Sequence, residues 1–546
     1  MMRTDLGTWA ARVGALDVLV IGGGATGLGV AVQAALEGRR VALVEARDFA
    51  SGTSSRSTKL LHGGVRYLAQ GRIAMVRQAL HERALVLGLA PHLAQPLPFV
   101  VAENNPLRWA LTLLGLKLYQ ALAGRLSLGK TQAVGPQAMR RLLPTLPSAF
   151  AGVRYWDGQF DDARLALALA QTARAAGAEL RNHTRVTGLS TDGQAWQIEL
   201  QDELSGARAT LQAPCVVNAA GVWVDEVRRQ VHQGGQPLNP RPLVRPSQGV
   251  HLVVSRQTLP LREAVLVPRT RDGRVLFAVP WLGATVIGTT DTPRGDAPLE
   301  PRPLEAELQF LLQETQRALG VQLAPEQVLS VWVGLRPLVE AGPASAGSTA
   351  ALSREHLIVR EAQGLLTVTG GKWTTYRAMA QEVMAALVAA GDLPPPAREA
   401  QTAQHRLWGA PTLSAVSLQE APGPHLLGSV QLDAGPDDRV LLGMGLTQAM
   451  VRHSARHEWA VTVEDTLARR WRALFLDARA AKAMAPQVAG LLEHETGIDP
   501  QLPQFLALCD QYTMDPRDTL ESLKSRSAAA ANAAAASKPR PSEKAI

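Results

Sequence analysis

Six residues near the start, Gly22-Gly23-Gly24-Ala25-Thr26-Gly27, carry the spacing G-x-G-x-x-G, and Glu45 follows 23 positions after Gly22. Glycines at those positions permit a tight turn and let backbone approach a pyrophosphate, whose charge the amides and dipole of a following helix attract. A carboxylate some twenty residues on can accept hydrogen bonds from an adenosine ribose. The chemistry indicated is dinucleotide binding, and this fingerprint alone leaves NAD and FAD both open.

Such a site needs a strand, a turn and a helix in that order. DVLVIG (17–22) is a near-continuous apolar run ending in glycines, as in a buried parallel strand. Ala25 to Leu36 has helical composition, Gly38 supplies a stop, and VALVE (41–45) is the next strand, which completes a β-α-β unit. APCVVNAAGVW (213–223) is a second buried strand running into a small-residue turn, so the nucleotide-binding domain is expected to be discontinuous. Ala163 to Ala176, Gly177 and AELRNHTRVTGL read as helix, stop and strand, with Asp161 and Asp162 placed to cap the helix. Pro91 to Pro147 is proline-punctuated and helical in pattern, and the sequence on to about Asp291 is strand-rich. Leu365 to Gly391 adds a strand and a helix, Pro394 to Pro396 mark a linker, and Leu441 to about Leu523 is mainly helical.

Composition narrows the class. At 546 residues the chain is expected to form three or four domains or lobes, and 46% hydrophobic against 19% charged residues excludes a disordered chain. The formal charge is +8, of which the tail from Ser525 carries a local +3. A basic balance permits an acidic partner, but no zinc finger, aromatic RNA-binding motif or compact basic helix points to nucleic acid, and none is expected. Two cysteines, Cys215 and Cys509, without C-x-x-C, leave neither a disulfide framework nor a cysteine metal site. With no H-E-x-x-H, no metal is expected. The first residues lack the apolar core of a secretory signal, no stretch approaches 18 apolar residues, and the chain is not expected to cross a bilayer.

The segment SGTSSRSTKLLHGGVRYL (51–68), with VIGGGATGLG (20–29) and GGKWTTYRAMA (370–380), closely resembles the FAD-dependent glycerol-3-phosphate dehydrogenase family. FDDARLALA (160–168), VVNAAGVWVD (216–225), PWLGATVIGTTD (280–291), VGLRPL (333–338) and HEW (457–459) extend the resemblance over nearly the whole chain. It implies α/β and α+β architecture. A Rossmann-like FAD-binding domain (15–90, 151–235 and 331–395) joins a substrate domain with an antiparallel sheet (91–150 and 236–330), a C-terminal helical domain (400–524) and a disordered tail (525–546). It also implies a noncovalent FAD that takes a hydride from C2 of sn-glycerol 3-phosphate, giving dihydroxyacetone phosphate, with electrons passing to ubiquinone or another quinone. A related oxidase using oxygen and a catalytically silent flavoprotein sensor are the alternatives. A homodimer is expected.

Carried residue by residue, the resemblance places FAD contacts at Gly22, Gly24, Gly27, Glu45, Ser54, Ser55, Lys59, Gly63, Ala220, Gly221, Gly371 and Thr374. The substrate phosphate calls for charge-assisted donors, for which arginine's planar fork is suited. Arg66, Tyr67, Arg336, Arg354 and Lys372 are the candidates, with Arg336 also in a catalytic role. Oxidising an alcohol requires removal of its hydroxyl proton, and His62 and His251 are both candidate bases. Pro106 to Gly124, apolar with Trp109 and Tyr119 and flanked by cations, is either a buried helix or one lying in a membrane interface. The second reading places the protein in the cytoplasm, peripheral on the cytoplasmic side of the inner membrane.

Overall fold

Val18–Ile21 and Val41–Val44 carry no polar side chain and are buried along their whole length, so they can only be interior strands of a sheet covered on both faces. In the computed structural model they are adjacent interior strands of a six-stranded sheet. Its order is His356–Arg360, Leu366–Gly370, Cys215–Asn218, Val18–Ile21, Val41–Val44 and Glu179–Arg181. All neighbours run parallel except His356–Arg360, an antiparallel edge strand. The structure describes residues 3–525 apart from 69, 147–150, 234–235, 238–239, 340–354, 362, 412–416, 433–439, 519–520 and 523. The tail beyond 525 and Arg354 therefore lie outside the described residues.

One face of this sheet is covered by the helices Ala25–Leu36, Asp162–Ala175 and Tyr376–Ala389, which share a core through residues such as Leu28, Leu165, Leu169, Met379 and Val383. The other face meets a five-stranded sheet built on Thr184–Thr191 and Trp196–Asp202, together with a short helix, Leu6–Val13, that buries Leu6 and Trp9. That helix is capped by the Asp5 carboxylate on the Thr8 amide at 2.8 Å.

A third sheet, of ten strands, is mainly antiparallel and departs from the domain boundaries drawn from sequence. Val328–Val339, expected to open the last FAD-binding segment, instead pairs antiparallel along Val244–Ser255. Its side chains alternate between two covered faces. Val331 and Val333 pack towards the helix Glu305–Leu319, whereas Trp332 packs with Phe475, Leu474 and Val488 of the C-terminal helices. Burial on both faces hides the period of two and makes the strand read like a parallel one. Ala151–Phe160 and Leu60–Leu61 also belong to this sheet rather than to the nucleotide-binding one. The helical reading of 91–147 is likewise only partly met, because Ala94–Glu103 is a ten-residue strand. Pro96 and Pro98 sit where its parallel neighbour Ala264–Val267, which pairs only with 99–101, has not begun.

The C-terminal region contributes the helices Gln448–His457, Ala473–Leu476, Ala478–Thr496 and Leu502–Tyr512. They pack on the ten-stranded sheet and are locked to the nucleotide-binding part by a buried charge network. Asp48 meets Arg470 (2.9 Å) and Arg469, and Asp465 meets Arg469 (2.8 Å) and His183 (3.0 Å). Asp48, His183 and Asp465 bring metal-ligand atom types together, but the two guanidiniums already answer both carboxylates. Among the described residues no helix is long and apolar enough to cross a membrane.

Candidate active site

The glycine loop leaves the strand end at Ile21 and turns at Gly22, whose φ of 110° belongs to the left-handed region. A side chain there would strike the Ala219 carbonyl, and one at Gly27 would strike the Gly22 carbonyl, so both positions need glycine for close packing rather than for ligand contact. Ser54 Oγ accepts the Ala25 amide at 2.9 Å, which ties the 51–55 segment to the start of the helix. Glu45 is held at the end of its strand by the Gly23 amide on one oxygen (2.6 Å) and the Arg47 amide on the other (2.9 Å). Burial raises its pKa, and the two amides oppose that rise.

These parts line a cleft of about 400 Å³ that runs from Glu45 past Gly22, Gly24 and Ser54 to Ala220, Gly221, Gly371 and Lys372. Its lining brings together the Glu45 carboxylate, glycine backbone and the cations Arg47, Arg185 and Lys372, groups that suit an extended dinucleotide. Trp223, Trp373, Thr53, Arg47 and Arg185 also line it or border it, and none was picked out from sequence. Trp373 stands inside GGKWTTYR, and its indole N–H donates to the Ser54 carbonyl at 2.9 Å. Thr53 donates to the Leu335 carbonyl (2.7 Å), joining the cleft to the long strand. Arg47 follows Glu45 by two residues, whereas Arg185 is brought to the cleft by the strand Thr184–Thr191.

Of the other residues carried over from sequence, Gly27, Ser55, Lys59, Gly63 and Thr374 are not among those that line the cleft. Lys59 is a clear displacement from the expected contact. It is fully buried, with Nζ 2.7 Å from Asp162 Oδ2 and 2.7 Å from the Ser55 carbonyl, and it sits over the rings of Trp332, Trp281 and Phe475. Burial outweighs the Asp162 carboxylate and lowers its pKa to about 7. Asp162, read from sequence as a cap, is the partner of Lys59 and Arg472, and Asp161 performs the capping on the Arg164 amide. Gly63 donates its amide to Tyr119 Oη at 2.7 Å, and Tyr119 in turn donates to Asp157 at 2.8 Å.

At the far end of the cleft Lys372 Nζ lies 4.0 Å from the Tyr67 ring centroid, beside Gly64. Arg66 is on the same short helix, Val65–Leu68, and its side chain lies outside the described residues. Arg336 projects from the long strand next to Pro337, a cleft residue, and donates to Thr289 Oγ1 and the Thr290 carbonyl, both at 3.0 Å. The two histidines differ sharply. His251 is 2% exposed, stacked on Trp332 at 4.0 Å, and paired through Nε2 with Thr58 Oγ1 at 3.0 Å. Burial, then Lys59 and Arg336, hold its pKa well below the ordinary value. His62 is partly exposed, and its carbonyl faces Thr374 Oγ1.

The architecture and the cleft coincide with a known family. Residues 17–377 match the model for FAD dependent oxidoreductases, and 427–502 match the C-terminal domain of alpha-glycerophosphate oxidase. The mitochondrial glycerol-3-phosphate dehydrogenase of Arabidopsis thaliana is 38% identical over 529 residues, covering 88% of this chain and 83% of its own. The human mitochondrial enzyme is 36% identical, covering 88% of this chain and 71% of its own. This chain belongs to the FAD-dependent glycerol-3-phosphate dehydrogenase family. A solved glycerol-3-phosphate dehydrogenase from Bacillus halodurans, complexed with FAD, superposes with a TM-score of 0.69 at 26% identity, covering 94% of this chain and 98% of that one. An L-alpha-glycerophosphate oxidase from Mycoplasma pneumoniae shares the fold, with a TM-score of 0.53 at 18% identity over 68% of this chain. The glycerol-3-phosphate dehydrogenase reading makes the cleft the FAD cradle.

Proposed function

We propose that this enzyme oxidises sn-glycerol 3-phosphate to dihydroxyacetone phosphate and delivers the electrons to a membrane quinone. Bound FAD supplies a two-electron acceptor for the hydride leaving C2. The observation that supports the substrate assignment is a cation in the lining of the dinucleotide cleft, Lys372 over Tyr67, with Arg336 next in sequence to the lining residue Pro337. Arg336 and Lys372 take the phosphate, and the fork of Arg336 is pre-oriented by Thr289 and the Thr290 carbonyl. His62 accepts the C2 hydroxyl proton. His251 is enclosed and strongly depressed in pKa, which suits it to fixing Thr58 rather than to taking protons near neutral pH.

The quinone and membrane parts of the reading rest on the helix Pro106–Ala123. Leu107, Leu111, Leu114 and Leu118, at spacings of four, three and four, are 70, 60, 67 and 49% exposed. They form one apolar ridge, while Leu116 and Tyr119 face inward. Exposed Arg108 and Lys117 flank the ridge, as in a helix lying flat on an anionic lipid surface. On this reading, which the ridge supports only as far as contact with a lipid surface, the enzyme is peripheral, on the cytoplasmic side of the inner membrane, where a lipid-soluble acceptor can reach it.

Anaerobic titration of the detergent-purified flavoprotein with sn-glycerol 3-phosphate tests the first half. Bleaching of the oxidised flavin absorbance is expected, and flavin that stays oxidised would remove the substrate assignment. Fast quinone reduction with little peroxide is expected on reoxidation; peroxide formed at the turnover rate would replace quinone with oxygen.

A further inference from the structure

The fork of Arg336 takes its direction from groups on two neighbouring stretches of chain. Arg336 stands opposite Ser247 in the antiparallel register with Val244–Ser255. Its guanidinium lies over Gly249, where a side chain would strike both of its terminal nitrogens and Thr289 Oγ1. Thr289 Oγ1 and the Thr290 carbonyl accept from Arg336 Nη2, and the Gln248 carbonyl and Asp291 Oδ1 stand 3.4 Å from Nη1. The turn 289–292 therefore helps to set where the fork points.

That turn is gripped from the other face of the sheet. Successive side chains of a strand alternate between faces, so Gln248, between Ser247 and Gly249, points away from Arg336. There its Nε2 donates to Glu307 Oε2 at 2.6 Å. Glu307, on the helix Glu305–Leu319, is only 5% exposed. Its Oε1 accepts from Thr290 Oγ1 at 2.8 Å and from Thr292 Oγ1 at 2.6 Å. Thr290 Oγ1 in turn accepts the Val250 amide at 3.0 Å, which ties the turn to the strand. The fourth donor to the carboxylate is the Leu304 amide at the start of the helix, 3.0 Å from Oε2. An ionised carboxylate has about four acceptor positions, and here four neutral donors fill them. Burying such a charge is costly unless its hydrogen bonds are complete. Capping the helix would use one of the four; the other three hold Gln248, Thr290 and Thr292, on the two stretches that meet Arg336.

We propose that Glu307 is a positioning residue for the phosphate end of the substrate site. It does not line the FAD cleft and acts through the turn, since Thr290 is held by its hydroxyl on one side and offers its carbonyl to Arg336 on the other. The role rests on the reading of Arg336 as a phosphate ligand. A carboxylate can accept from both threonines and from Gln248 at once, whereas the amide of Glu307→Gln must turn N–H donors towards one pair of these donors.

The test uses the full chain with FAD bound, glycerol 3-phosphate as substrate and inorganic phosphate as competitive inhibitor. Glu307→Gln is expected to raise KM for the substrate and Ki for phosphate together by about tenfold or more, with kcat kept within about threefold, the pattern of lost ground-state binding. Thr292→Val, which removes one donor to Oε1 and leaves the helix cap in place, is expected to move both constants the same way by roughly threefold or more. In an Arg336→Ala background, Glu307→Gln is expected to change kcat/KM by less than about twofold, because no fork remains to be aimed; a merely structural role would multiply the two losses. Unchanged KM and Ki in Glu307→Gln, a loss confined to kcat, or full additivity with Arg336→Ala would overturn the proposal. If Glu307→Gln does not retain FAD, Thr292→Val decides, and unchanged KM and Ki there would overturn it. Arg336→Ala that leaves phosphate inhibition unaltered would instead remove Arg336 as the phosphate ligand, and the positioning role with it.

Discussion

Replacing Tyr119 by phenylalanine removes one oxygen from the protein and with it the link between the apolar-ridged helix and the loop beside the flavin site. Tyr119 is 2% exposed. Its hydroxyl accepts the Gly63 amide at 2.7 Å and donates to Asp157 Oδ2 at 2.8 Å, while Asp157 also holds Arg83 at 2.8 Å. Burial, reinforced by Asp157, raises the phenol pKa well above its ordinary value, so the hydroxyl keeps its proton and its donor role at any working pH. In Tyr119→Phe the ring still fills its place between Leu116 and Tyr155, so the loss is polar rather than steric. A buried amide left without an acceptor costs about 1–3 kcal/mol, and a lost hydrogen bond to a charged group about 1.5–3 kcal/mol. Arg83 remains on Asp157 and softens the second figure, which leaves about 2–4 kcal/mol in all. Urea unfolding at unchanged slope should report that loss, and the reductive half-reaction should slow by roughly tenfold or more, because the His62-Gly63-Gly64 turn loses its anchor. A stability change within about 0.5 kcal/mol together with an unaltered rate of flavin bleaching would refute the account. The Tyr119→Phe, Asp157→Asn double-mutant cycle should show strong coupling, since both changes break the same bond.

Arg336→Ala should lower kcat/KM for glycerol 3-phosphate by about 100-fold, the equivalent of about 3 kcal/mol for a forked contact to phosphate, and Arg336→Lys should recover only part of it in steady-state assays. Burial, then Arg164 and Arg406, lowers the pKa of His92 to about 3, so between pH 6.5 and 3 the unfolded chain binds a proton that the folded one does not. Stability from this group is complete above about pH 6.5 and falls as pH drops, by about 1.4 kcal/mol at pH 5.5, and His92→Gln should remove that slope from urea titrations at pH 7.5 and 5.5. Leu111→Glu combined with Leu114→Glu should weaken vesicle binding by roughly 100-fold or more, from about 1.5–3 kcal/mol per leucine withdrawn from lipid, while bleaching by substrate in detergent stays normal. Equal sedimentation of variant and wild type with anionic vesicles would remove the ridge as the contact.

How far the site could be read in advance follows from where its information resides. The glycine loop, Glu45 and the two flanking strands lie within thirty residues, and each glycine there answers a backbone demand that sequence states directly. Arg336, on the strand Val328–Val339, and Lys372, two residues past the end of Leu366–Gly370, are 36 residues apart, and nothing in their own surroundings marks them; only the family resemblance singles them out. Lys59 shows the converse. It sits in the motif most characteristic of the resemblance, yet its Nζ turns inward to Asp162 under three aromatic rings, a placement decided by Trp281, Trp332 and Phe475 from remote stretches of chain. The same remoteness hid the strand Val328–Val339. Alternation marks a strand only when one of its faces is wet, and here the C-terminal helices cover the Trp332 face that would otherwise meet water. The stretch between the first two of those helices carries Arg469, Arg470 and Arg472, which reach Asp48 and Asp162 beside the cofactor loops. A truncated chain ending before them would therefore lose more than a lobe. It would leave the Asp48 and Asp162 carboxylates buried behind the FAD cradle without their guanidiniums, a cost of several kcal/mol that falls on the first domain rather than the last.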